Sequence, residues 1–148
     1  EIGAILVEEG QIKTKYHALI KPKAHIPTSI ERLTGITNEL LKREGRKLSD
    51  ALPEFLEFVS DSPVISHNSD FDLNFIRIAC QRLNLPLFSN KVIDTLSLAR
   101  RIISDVKDYK LETLLEYFNI NIDGMHRSMK DCLSTQKLYV KLIELEQE

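Results

Sequence analysis

The strongest constraint on this chain lies between residues 49 and 86, where the hydrophobic period changes twice. Leu52, Phe55, Leu56 and Val59 recur at i, i+3, i+4 and i+7, which predicts a helix capped by Ser49 with Pro53 tolerated in its first turn. Pro63-Val64-Ile65-Ser66 is short and β-branched, and so reads as a buried strand feeding a polar loop at His67-Asn68. The helical period then resumes, with Phe71, Phe75, Ile78, Ala79 and Arg82 on the expected inner face, until Leu85-Pro86 ends it. Helix, strand, loop and helix in so short a span commit the chain to a layered α/β or α+β fold.

The flanking segments obey the same grammar. Ile2, Ala4, Leu6 and Val7 run into Glu9-Gly10, after which Ile12, Thr14, Tyr16, Ala18 and Ile20 alternate with polar residues, a β-hairpin pattern. Short helices are expected over Thr28 to about Leu33, broken by Gly35, and over Asn38 to Lys42. Val92-Ile93 opens another strand, Leu96 to Ile103 and Leu111 to Phe118 read as helices, and a last helix starts near Ser128.

At 148 residues the chain is expected to form one domain. Twenty Lys and Arg against 22 Asp and Glu leave a net charge of -2, so any contact with a polyanion must be local. Cys80 and Cys132 have no zinc-ligand spacing and are expected to be buried thiols. No apolar run approaches the ~20 residues of a membrane span, and the start lacks the basic n-region of a signal peptide, so a cytoplasmic location and no membrane partner are expected. The chain opens on a strand-like run with no initiator methionine, and is therefore expected to continue upstream of Glu1.

Two segments carry candidate chemistry. Asp72 falls in the first turn of a helix that follows a strand, where α/β sheets bind ligands. Ser69 and Asp72 also have the spacing of a capping box, which would make the carboxylate a purely local device. Ser128 and Asp131 repeat that ambiguity. His126 discriminates, because five positions at 100° each would put it about 140° round a helix from Asp131. The two converge only if His126 lies on a loop before the helix, which the Asp123-Gly124 turn would provide. An imidazole beside a metal-binding carboxylate can take a proton from water near neutral pH, whereas an exposed surface histidine is the plainer alternative.

Taken in order, these segments resemble the DEDDh 3′-5′ exonucleases, the group that includes proofreading epsilon subunits of bacterial DNA polymerase III. Glu1-Ile2-Gly3-Ala4-Ile5 is similar to the second strand of that family, and Leu33-Thr34-Gly35-Ile36-Thr37 to its segment beside the 3′-terminal nucleotide. His67-Asn68 with Phe71-Asp72 and Phe75-Ile76 resembles its second motif. Ile93-Asp94-Thr95 to Ala99-Arg100, then Tyr109-Lys110-Leu111 and Leu114, resemble its helical middle, and His126 with Asp131 its third motif.

The resemblance implies an α/β, ribonuclease H-like fold, a mixed central sheet flanked by helices, with residues 1–148 one exonuclease domain. It also implies that the domain is incomplete at its N-terminus: an Asp-x-Glu motif on the first, central strand would lie upstream of Glu1, and without that strand the apolar faces of the sheet would be exposed. Two divalent ions, Mg²⁺ or Mn²⁺, would clamp the attacking and leaving oxygens. Asp131 and Asp72 would be metal ligands and His126 the general base. Leu33, Gly35, Ile36, Thr37, Asn68 and Phe71 would hold the substrate, Gly35 through close backbone approach. The implied partners are a single-stranded DNA 3′ end and a replicative polymerase or helicase. RNA trimming and an inactive nucleic-acid- or polymerase-binding module are the alternatives.

Among the remaining residues, Lys13, Lys15, Lys21, Lys23, Arg127 and Lys130 are candidates for phosphate contacts or a solvated face. Asp94 reads as a cap or loop brace, Asp70 as an N-cap, and Tyr109 and Phe118 as core or rim aromatics. His17 and His25 carry no argument.

Overall fold

The computed structural model describes residues 1–121 and 126–147. The expected Asp123-Gly124 turn lies outside the described residues. The described chain gathers into two compact units, Glu1–Ser60 with Gly124–Asp131, and Asp61–Asp123 with Cys132–Glu148.

The first unit opens on the antiparallel hairpin β1 (Ile2–Glu8) and β2 (Gln11–Ala18), in register from Ile2 opposite Ala18 to Glu8 opposite Gln11, with an irregularity between Leu6 and Val7. Glu9 and Gly10 both have positive φ, 51° and 75°, the requirement of a two-residue turn matched to strand twist. Helices α1 (Thr28–Thr34), α2 (Asn38–Glu44) and α3 (Leu48–Val59) follow. Leu19, Ile36 and Leu41 form a buried cluster with Ile26 and Leu40 against it. Ala51, Leu52, Phe55 and Val59 are the buried stripe of α3. Tyr16 of β2 ties that helix down, its ring 5.9 Å from Phe55 and 5.7 Å from Phe58 and its hydroxyl donating to the Ala51 carbonyl at 2.6 Å.

The second unit holds β3 (Val64–Ser66) and β4 (Val92–Asp94), paired in parallel with Ser66 opposite Asp94. Its helices are α4 (Ser69–Arg82), α5 (Thr95–Ile102) and α6 (Leu111–Tyr117); α7 (Ser128–Glu146) has its first turn in the first unit. Leu114, Leu115, Leu138 and Leu142 are fully enclosed.

Several expectations need correction. The cap of α3 is Lys47, not Ser49; the helix starts two residues earlier than expected, which moves Pro53 past the first turn. The strand at Val64–Ser66 is only half-buried, with Ile65 37% exposed. On α4 the face expected to be inner points outward: Phe71, Phe75 and Ile78 are 63%, 64% and 46% exposed, while Leu73 and Cys80 are buried. The helix carries apolar residues on two stripes, so its period could not choose between them. The N-cap of α4 is Asn68, not Asp70. Neither Cys80 nor Cys132 is in a disulfide, but only Cys80 is buried.

Candidate functional site

In the second unit, parallel pairing sets Ser66 beside Asp94, so the loop after β3 starts next to the N-terminus of α5. Asn68 turns that loop in a left-handed conformation (φ 61°), which asparagine tolerates better than most residues. As N-cap of α4 it makes no side-chain cap bond. The Asp94 carboxylate serves instead, accepting the N–H groups of Asn68 at 2.8 Å and Ser69 at 3.3 Å while capping its own helix through Leu96 N–H and Ser97 Oγ. Burial pushes the Asp94 pKa up, but these hydrogen bonds outweigh it and hold it below the ordinary value. Asp94 is thus the cap and loop brace that the sequence suggested.

His67 fixes the other side of the loop. Its Nε2 lies 2.9 Å from the Tyr109 carbonyl, which can only accept, so Nε2 carries a proton; Nδ1 is 2.9 Å from Thr95 Oγ1. Burial lowers its pKa and favours the neutral ring. Tyr109 is itself anchored, donating to the Ile103 carbonyl at 2.7 Å under the Arg100 guanidinium.

These braces leave Asp72 without a capping duty. The N–H groups it would satisfy in a capping box are taken by Asp94, and its Oδ2 instead accepts from Ser66 Oγ at 3.2 Å. Although the residue as a whole is exposed, the protein around its carboxyl group raises its pKa, an effect only partly offset by Ser66 and His67. Phe71 stands outward beside it, edge to face with Phe75 at 5.3 Å.

In the first unit, His126 lies ahead of α7 with φ 69°. Its main-chain N–H is 3.3 Å from Asp131 Oδ1, so the structure brings these two residues together. Ser128 is the first residue of α7, not its cap, and its Oγ is buried without a hydrogen-bond partner among the described residues. The N–H of Ser128 goes to Glu1 Oε2 at 2.8 Å, and Arg127, a candidate phosphate ligand, is held by the same carboxylate. Sequence reasoning missed Glu1 and its partner His17; only the residue types, an acid just ahead of one hairpin strand and a histidine on the other, hinted at them.

The segment from Leu33 to Thr37 forms the α1–α2 turn. Gly35 closes α1 with φ 71° and has open space where a Cβ would stand, so glycine is required there by conformation. Leu33 is 53% exposed, Ile36 is committed to the core, and Thr37 caps α2 by accepting from Leu40 N–H at 3.0 Å. Asn38 locks the turn, bonding both main-chain groups of Ile26 and the Glu31 carboxylate.

Divalent ions of the Mg²⁺ type need several oxygen donors. Asp72 and Asp131 are of the right chemistry, but among the described residues no three His, Cys, Asp or Glu side chains lie close enough together to hold an ion. The fit is one of donor type, not of number. Among the described residues, too, no helix is long and apolar enough to cross a membrane.

DNA polymerase III subunit epsilon of Aquifex aeolicus is 36% identical over 97% of this chain, which covers 71% of that subunit. DNA polymerase III PolC-type of Caldanaerobacter subterraneus is 34% identical over the whole chain, and that of Bacillus subtilis 32% over 97%. The chain spans only a tenth of either PolC protein. Exonuclease X, solved in complex with 5′ overhanging duplex DNA, superposes with a TM-score of 0.74 over 97% of this chain and 81% of its own, at 22% identity, so the fold is the ribonuclease H-like one. The exonuclease family model (RNase T) matches residues 1–139, and the chain belongs to that family.

Proposed function

We propose that this chain is a metal-dependent 3′-5′ exonuclease domain that releases nucleoside 5′-monophosphates from DNA 3′ ends, in proofreading, replication or repair, in the cytoplasm and beside a replicative polymerase or helicase. The observation that carries the reading is that Asp72, within a chain of the exonuclease family, is spared the capping duty that its spacing suggested and sits half-desolvated behind a braced loop.

Exonucleases of this kind generally use divalent ions, which polarise the phosphate and lower the pKa of bound water. Asp72 and Asp131 would be this chain's ligands, and the reading needs two more carboxylates, which it assigns to an Asp-x-Glu motif upstream of Glu1, completing one domain. His126 would accept a proton from the attacking water; it is exposed and stands on the loop side of α7. Leu33, with the backbone at Gly35 to Thr37, would seat the terminal nucleotide, and Asn68 and Phe71 would border it.

The test is mononucleotide release from a 3′-labelled single-stranded DNA oligomer, and from RNA of the same sequence, in Mn²⁺ or in EDTA. Metal-dependent release from DNA is expected. Faster release from RNA would reassign the substrate. No release from folded protein whose intact mass includes residues upstream of Glu1 would overturn the reading and favour a binding module.

A further inference from the structure

The Glu1 carboxylate bonds to both residues that follow His126. Its side chain is only 8% exposed. Oε1 accepts from Arg127 Nη2 at 3.0 Å and Nε at 3.1 Å and lies 2.7 Å from His17 Nε2; Oε2 takes the Ser128 N–H at 2.8 Å, with Arg127 Nε at 3.3 Å. One carboxylate therefore grips the side chain at 127 and the main chain at 128. His126 is the next residue.

His126 has a φ of 69°, uncommon for a non-glycine residue, so its direction depends on how the adjoining main chain is held. The bond from its own N–H to Asp131 is long at 3.3 Å, whereas the contacts at Glu1 are charge-assisted and short. Gly3 permits the approach: a Cβ there would stand 2.5 Å from Ser128 Oγ and 2.7 Å from Ser128 Cβ, so β1 and the first turn of α7 meet where only glycine fits.

We propose that Glu1 is a positioning residue for His126, fixing the main chain at 127–128 and thereby the direction in which the imidazole leaves the loop. This rests on the reading of His126 as proton acceptor. Glu1 itself touches no reacting atom. Burial pushes its pKa up, but the bonds from Arg127, Ser128 and His17 bring it to about 2, so the grip stays charged throughout the working range.

The test is a double-mutant cycle in the full-length protein, read as kcat and KM for single-stranded DNA hydrolysis in Mn²⁺. Small misplacements of a reacting group cost up to ~10²-fold, so Glu1→Ala is expected to lower kcat by about 10- to 100-fold with KM little changed. Glu1→Gln should fall between, since its amide oxygen can still accept from Ser128 while its NH₂ opposes Arg127. In the His126→Ala background, Glu1→Ala should add less than about twofold, because the two act as one unit. Should Glu1→Ala not fold, as judged by circular dichroism, Arg127→Met carries the same cycle, since it keeps the bond to Ser128 and removes the grip at 127. Effects that multiply across the cycle, or full turnover in Glu1→Ala beside a loss in His126→Ala, overturn the proposal alone. Full turnover in His126→Ala removes the proton-acceptor reading and the proposal with it.

Discussion

Ser69 to Asp72 and Ser128 to Asp131 have the same spacing, yet neither forms a capping box. In both, the helix N-terminus is capped by a carboxylate from far along the chain: Asp94 for α4, 26 residues from Asn68, and Glu1 for α7, 127 residues from Ser128. The two remote caps differ in construction. Asp94 is shared with its own helix and is stabilised as a carboxylate by N–H and O–H donors, whereas Glu1 is paired with a guanidinium. Capping has been outsourced at both places; Asp72 is left without a capping duty, while Asp131 receives the His126 N–H ahead of α7.

The largest effect expected from this comparison is chemical. His126→Ala should cut turnover by about 10²- to 10⁴-fold, as loss of a positioned base does, while metal binding, followed by the shift in melting temperature with Mn²⁺, persists. Asp72→Asn should likewise abolish most activity while changing stability by no more than about 0.5 kcal/mol, since its one hydrogen bond among the described residues is the 3.2 Å contact with Ser66. A stability loss comparable to that of a cap variant would return Asp72 to a structural role.

Asp94→Ala is the contrasting case. It strips donors from two helix N-termini at once, and about 2–3 kcal/mol of stability should be lost in urea unfolding. The folded carboxyl titrates below its ordinary value of 3.8, so its contribution is complete above that pH and drains away as pH falls through the depressed value. Glu1 behaves in the same sense, its share being lost between about 4.5 and about 2. The difference between wild type and Glu1→Gln, measured across pH, should therefore shrink over that interval. A constant difference would mean that the carboxylate's charge plays no part.

What the sequence could reveal follows from the range of each interaction. The hairpin, the strand at Val64, the α1–α2 break at Gly35 and the start of α7 were legible because periodicity and turn chemistry act over a few residues. The outward face of α4 was not, because Phe71 with Phe75 and Leu73 with Cys80 give it two apolar stripes and only tertiary packing chooses between them. Candidate residues Asp72, His126 and Asp131 emerged from a family resemblance, not from local pattern, which favoured caps. The residues that brace them, Glu1, His17, His67 and Asp94, act across 16 to 127 positions, and no window of sequence contains such pairs.

The smallest effect concerns the contact that lets Glu1 reach α7. Gly3→Ala would drive a methyl into Ser128, and overpacking of that kind costs about 1–3 kcal/mol. Ser128→Ala should move the other way by about 1 kcal/mol, because its hydroxyl is buried with no partner among the described residues and alanine removes that penalty without opening space beyond one oxygen. Since the clash at Gly3 is with Oγ at 2.5 Å and with Cβ at 2.7 Å, Ser128→Ala relieves only part of it, and Ser128→Gly is the variant that should rescue Gly3→Ala further, at the expense of helix propensity at the first position of α7. Thermal unfolding of the three single and two double variants resolves these increments. If Ser128→Gly fails to improve on Ser128→Ala in the Gly3→Ala background, the side chain at 128 does not set the approach of β1 to α7, and Glu1 reaches the helix for some other reason.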